Sequence, residues 1–159
     1  TYDLQSNAAV QNRIVVNQQT GSISAGWTIS QQYNTTYTDR GTGYNYFDGN
    51  SWGPQPTDRI EGTRGGWPSI LTMGSGKEAS ITHNTDGSFI HMAHRPNTGT
   101  GAWDSQILST QDSTGTYRYM IWNRSAIGGL NDNTIHMIAR TPLNLPYLNS
   151  KLHTMSMTR

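Results

Sequence analysis

Glycine or asparagine interrupts nearly every apolar stretch of this chain before a helical face can develop. No window carries apolar residues at i, i+3, i+4 and i+7 over three turns. What recurs instead is the short β-branched or aromatic run bounded by turn residues. "RIVVN" (13–17) gives way to "QQTG", and "SISAGWTIS" (22–30) alternates small or apolar residues with polar ones. "GYNYFDG" (43–49), "PSILTMG", "EASITHN", "SFIHMAHR", "AWDSQILST", "YRYMIWN", "TIHMIART" and "LHTMSMT" follow. Between two of these runs stands Asp86-Gly87, a hairpin signal because glycine accepts the positive φ of a tight turn. About ten short strands at turn spacings of roughly 8–15 residues predict an all-β chain.

A core drawn from alternate strand positions also accounts for a hydrophobic content of only 33%. At 159 residues the chain is long enough for one sizeable core and short for two ordinary domains. Nine of its eleven positive charges are arginine, Lys77 and Lys151 being the only lysines, and the net charge is +1. That balance gives no electrostatic reason to expect nucleic acid, and no basic run marks a membrane patch. There is no cysteine, and no apolar run approaches the roughly 18 residues of a membrane span. Abundant Thr, Ser, Asn and Gly with few lysines suggests a secreted or cell-surface protein. The chain opens on Thr1, as a processed terminus or a fragment would. Asn34-Thr-Thr and Asn123-Arg-Ser are formal glycosylation sequons.

"FIHMAHRP" (89–96) reappears as "TIHMIART" (134–141), with His91 and His136 45 residues apart. That spacing lies in the range of four-stranded propeller blades. It predicts the same strand in successive units, approximately 7–66, 67–110 and 111–159. "RGTGYNYFDGNSWGPQPTDRIEGTRGGWPSI" (40–70) and the two strands just named resemble the sialidase-like, Asp-box (BNR) group of secreted bacterial β-propellers, some of them cargo of the type IX secretion route. In that group a y-x-x-x-D-G-x-x-W outer strand precedes R-x-G-W-P-S-I, which opens the innermost strand of the next blade. The resemblance implies a β-propeller-like array of four-stranded antiparallel blades. Two to three blades make an incomplete ring, so it further implies an additional propeller segment or a partner chain. The Asp boxes themselves are degenerate: "TQDSTGTY" (110–117) is one residue too long before its glycine and "NTDGSF" (84–89) one too short.

The resemblance raises hydrolysis, which in sialidases needs an arginine cluster, a Tyr nucleophile activated by Glu, and an Asp acid. Arg40, Arg59 and Arg64 surround Tyr44, Tyr46 and Glu61 in sequence, but the Arg-Ile-Pro motif is missing and "DRIEG" (58–62) is its nearest approach. The expectation is therefore a non-catalytic binding or cargo module, for a glycan or a protein partner. A hydrolase with part of its site elsewhere, and a structural subunit that completes a propeller, are the alternatives. In a propeller, residues just before an innermost strand face the central channel, which nominates Arg64 and Trp67, with Arg118, Trp122 and Arg124, as ligand-binding residues. No catalytic residue is assigned. His91 and His94 should point to opposite faces of one strand, whereas His83 and His91 sit across the Asp86-Gly87 hairpin as possible neighbours. No cofactor is expected, although turn carboxylates such as Asp48 or Asp86 leave a Ca²⁺ site open without completing its motif.

Overall fold

The computed structural model describes residues 12–33, 36–84, 89–108, 114–115 and 120–140, and the backbone of 152–158. The chain is all-β, with three antiparallel sheets. Ile14–Val16 (β1), Ile23–Ile29 (β2) and Gly41–Phe47 (β3) form the first sheet in that order. Gly65–Thr72 (β4), Glu78–Asn84 (β5), Ile90–Arg95 (β6) and Asp104–Leu108 (β7) form the second. Ile121–Gly128 (β8), Thr134–Arg140 (β9) and Leu152–Thr158 (β10) form the third, with a 3₁₀ turn at Leu130–Asp132 between β8 and β9. Among the described residues no sheet closes on itself, and only the second has the four strands expected of every unit. Among the described residues no helix is long and apolar enough to cross a membrane.

The strands lie where the alternating runs placed them, with one exception. β8 continues to Gly128, through "RSAIG", which carries too few β-branched or aromatic residues to read as strand. The Asp86-Gly87 turn lies outside the described residues. The β5–β6 register is nonetheless the one it specifies: Glu78↔Arg95, Ser80↔Ala93 and Thr82↔His91 are each equidistant from that dipeptide.

The sheets stack in chain order. β2 and β3 pack on β4, and β8 packs on β4 and β5. Both faces of the β4–β5 half of the second sheet are thus covered; β4, β5 and β6 are buried along nearly their whole length, whereas the edge strand β7 is mostly exposed. Towards the third sheet it presents Leu71, Met73, Ala79, Ile81, Ile90, Met92 and Leu108, which form one apolar cluster with Met120, Ile135, Met137 and Ala139. Each large side chain buried there contributes about 1.5–3 kcal/mol relative to exposure. Towards the first sheet it presents Ile70, Ser80, Thr82 and Ala93, opposite Ser24, Gly26, Thr28 and Thr42. Gly26 is what lets these sheets approach: a Cβ there would stand 2.4 Å from Ile70 Cγ1.

Among the described strands, the two copies of the Ile-His-Met repeat do not take the same place in their sheets. β6 is third in its sheet counting from β4, whereas β9 is second counting from β8. The two copies instead share one core, Ile90 and Met92 clustering with Ile135 and Met137. A shared local feature links β4 and β8 instead. Each carries a register shift near its start, between Gly66 and Ser69 and between Ile121 and Arg124, with a tryptophan at positive φ inside it (Trp67, 52°; Trp122, 56°). These tryptophans are 55 residues apart, against 45 for the Ile-His-Met copies.

Candidate functional site

The two bulges bring their tryptophans together. A bulky residue at positive φ is unfavourable by roughly 1–3 kcal/mol and persists only where its surroundings hold it. At Trp67 they do so twice. Pro68 has no N–H to lose from the ladder, and the Trp67 N–H donates to Thr28 Oγ1 of the first sheet at 3.0 Å. The Trp67 and Trp122 rings meet edge to face with centroids 5.2 Å apart. His83, at the end of β5, stacks parallel on Trp67 at 5.1 Å and meets Trp122 edge-on at 5.0 Å. The Arg40 guanidinium lies 4.6 Å over the Trp67 ring, and its Nε donates to the Gly65 carbonyl at 3.0 Å.

Asn123 locks the assembly from below. Fully buried, it donates from Nδ2 to the Ile81 carbonyl at 3.1 Å, which leaves Oδ1 to face His83 Nδ1 at 3.4 Å. An amide oxygen only accepts, so this contact assigns the His83 proton to Nδ1. Burial pushes the His83 pKa down to about 4, and nearby Arg40 acts in the same direction. The imidazole is neutral at pH 7 and works here as an aromatic plate. Asn123 is also the second sequon residue, and its complete burial in this fold leaves no path for a glycan.

Of the five residues nominated from sequence, Trp67 and Trp122 are brought into contact. Trp67 is only 6% exposed, so its ring is packed rather than presented, whereas Trp122 is half-buried. Arg64 donates to the carbonyls of Tyr37 (2.7 Å) and Thr36 (2.5 Å), and Arg124 to the carbonyl of Asn123 (3.2 Å). Arg118 lies outside the described residues. Arg40 and His83 complete the cluster without having been nominated; the available signal was the hairpin register, which fixes His83 at the same end of β5 as the bulge in β4.

The histidines separate. Thr82, not His83, pairs with His91, so His83 faces the third sheet while His91 faces the other way and meets the Thr63 hydroxyl at 3.2 Å. His94 shares its face with Met92 and contacts Asp104 at 3.6 Å. Among the described residues no three His, Asp or Glu side chains are grouped so as to hold a metal ion. Asp48 Oδ1 accepts the N–H groups of Asn50 and Ser51, both at 2.8 Å, which lowers its pKa and closes the turn after β3. Asp86 lies outside the described residues.

A second cluster sits between the first two sheets, at the other end of the stack. Arg95 donates from Nε (2.8 Å) and Nη2 (2.6 Å) to Glu78 Oε2, and both side chains are buried. The Tyr44 hydroxyl donates to Glu78 Oε1 at 3.0 Å, and the Gly99 N–H to Oε2 at 3.2 Å. The Arg95 guanidinium lies 4.3 Å from the Trp103 ring centroid and 4.5 Å from that of Tyr44. Tyrosine, glutamate and arginine therefore meet, but in a saturated arrangement. Burial and the Glu78 charge drive the Tyr44 pKa well above the usual phenol value, against the lowering hydrogen bond with Ser24. Glu61 is similarly consumed. Buried against β3, it accepts the Thr42 N–H at 2.8 Å and the Thr42 hydroxyl, and desolvation raises its pKa.

Two cavities accompany these clusters. One of about 400 Å³ opens between the second and third sheets, with a mainly apolar wall of Met73, Ala79, Met92 and Ile135. Another of about 350 Å³ lies on the outer face of the first sheet, beside Trp27. No family model matches the chain, and no curated protein matches it either.

Proposed function

We propose that the chain is a stretch of a secreted, propeller-like array that acts as a binding module for glycans and carries out no catalysis. The observation that bears most on this reading is the saturation of Glu78. A sialidase-type site needs an arginine to hold the substrate carboxylate and a tyrosine made nucleophilic by its carboxylate partner. Here Arg95 is spent on Glu78, and the Tyr44 phenol is held protonated. The propeller-like reading is supported by face-to-face stacking in chain order and by the matching bulges of β4 and β8. It remains distinct from the fold class itself, since propellers close and these three sheets do not.

Incubation with a fluorogenic sialoside and a panel of aryl glycosides should give no turnover, while a glycan array should give binding. Turnover lost on Tyr44→Phe would overturn the assignment in favour of a hydrolase; a blank array would remove the glycan. Ile14 and Val16 of β1, 64% and 55% exposed, favour a second reading in which another protein segment continues the stack. Light scattering would then find a self-associated or partner-bound species whose mass falls on Ile14→Lys.

A further inference from the structure

Trp27 stands near the end of β2, on the face turned away from the second sheet, and is only half-buried. Its cross-strand partner is Gly43, and the indole lies directly against that glycine. A Cβ on Gly43 would be 2.9 Å from both Cε2 and Nε1 of the ring. With no side chain on Gly43, the indole packs directly against the sheet, and Trp27 lines the 350 Å³ cavity. Gln31, Asn45 and the 53–56 loop, with Gln55 and Pro56, line it as well. That loop is pinned to β3: the Gly53 N–H donates to the Tyr46 carbonyl at 2.8 Å, and Asn45 Nδ2 donates to the Gly53 carbonyl at 3.1 Å. Among the described residues no Lys, Arg, His, Asp or Glu lines the cavity.

We infer that this cavity binds a neutral sugar, with Trp27 as the stacking platform and the Gln31 and Gln55 amides as hydroxyl partners. The inference rests on the reading of the chain as a glycan-binding module and gives that module a location. The chemistry is specific. The C–H face of a pyranose is apolar and packs on an aromatic plane, while its edge needs groups that both donate and accept. A primary amide supplies both, from NH₂ and C=O. The cavity volume falls at the lower end of small-molecule sites, roughly 300–1,000 Å³. An acidic sugar is disfavoured because nothing in the lining would neutralise its desolvated carboxylate. The pinned loop lowers the ordering cost of binding.

The test is isothermal titration of the intact chain with cello-, manno- and galacto-oligosaccharides, and with sialyllactose as the acidic probe. Binding of a neutral series is expected, weakened about tenfold or more by Trp27→Ala, a change of about 1.4 kcal/mol. Gln55→Ala and Gln31→Ala are exposed substitutions that leave the sheet intact, and each should raise the Kd several-fold; they carry the test if Trp27→Ala fails to fold. Neutral-sugar binding untouched by all three variants overturns this site and leaves the glycan-binding reading standing. Binding confined to sialyllactose overturns the neutral class. Binding of none of the probes overturns the site and the glycan-binding reading together.

Discussion

The two faces of β5 teach different lessons about how this chain holds itself together. Towards the third sheet β5 shows Ala79 and Ile81, clustered with methionine and isoleucine, and His83, against Trp67 and Trp122. Towards the first sheet it shows Glu78, Ser80 and Thr82, against serine, threonine and glycine. One interface is maintained by apolar volume, which is tolerant of shape as long as it is filled. The other brings sheets close through small residues and fixes them with an ion pair whose remaining acceptor sites are used by Tyr44 and Gly99. Such a contact adds little net stability over an apolar equivalent, but it is severely weakened when half of it is removed.

The comparison breaks most sharply at Arg95. Arg95→Ala leaves the Glu78 charge buried without its partner and removes the cation from Tyr44 and Trp103, so urea unfolding should show a loss of about 3–5 kcal/mol. The double substitution Glu78→Gln, Arg95→Met should recover most of that loss. A double variant no better than Arg95→Ala would mean that the ion pair itself stabilises the fold.

Ile81 tests the apolar side. Ile81→Ala, at a fully buried position, should cost about 3 kcal/mol, and Ile81→Val about 1 kcal/mol, in the same measurement. Costs below 1 kcal/mol for both would show that the third sheet relaxes onto the second and is not tightly packed there.

Acid should act with opposite sign through the buried histidines and through Glu61. His83, depressed to about 4, binds a proton more readily unfolded than folded between its ordinary value near 6.5 and pH 4. Stability is therefore present above 6.5 and declines as pH falls through that window, by roughly 2–3 kcal/mol. His91, lowered by burial, contributes in the same direction. Glu61 is raised instead, so its contribution is present below its ordinary value and lost as pH rises through the raised one. Thermal melts of His83→Gln across pH 4–6.5 should show a flattened slope; an unchanged slope would place the proton uptake elsewhere.

Much of this architecture was legible in the amino-acid order. Alternation placed the strands, and Asp86-Gly87 specified the register that sets Glu78 beside Arg95, although neither residue stood out as a pair when read along the chain. The Ile-His-Met repeat was legible as two strands that bury the same kind of face, because identical patterns arise wherever strands do so, whether or not they occupy the same place in their sheets. The candidate site was half legible. Trp67 and Trp122 meet, but only because each sits in a bulge at a backbone angle that no local propensity of tryptophan favours.

By itself, then, the sequence determined the all-β class, the strand positions and one hairpin register, since these follow from backbone sterics and side-chain period over a few residues. Only the tertiary structure decided which face of each strand became polar or apolar contact, that Trp67 is covered while Trp27 is offered to solvent, and that Glu78 is saturated. Those outcomes depend on which sheets stack against one another. Close approach at Gly26, against Ile70, and long-range bonds such as Trp67 N–H to Thr28 set that stacking, and none of these contacts lies within a local window of the chain.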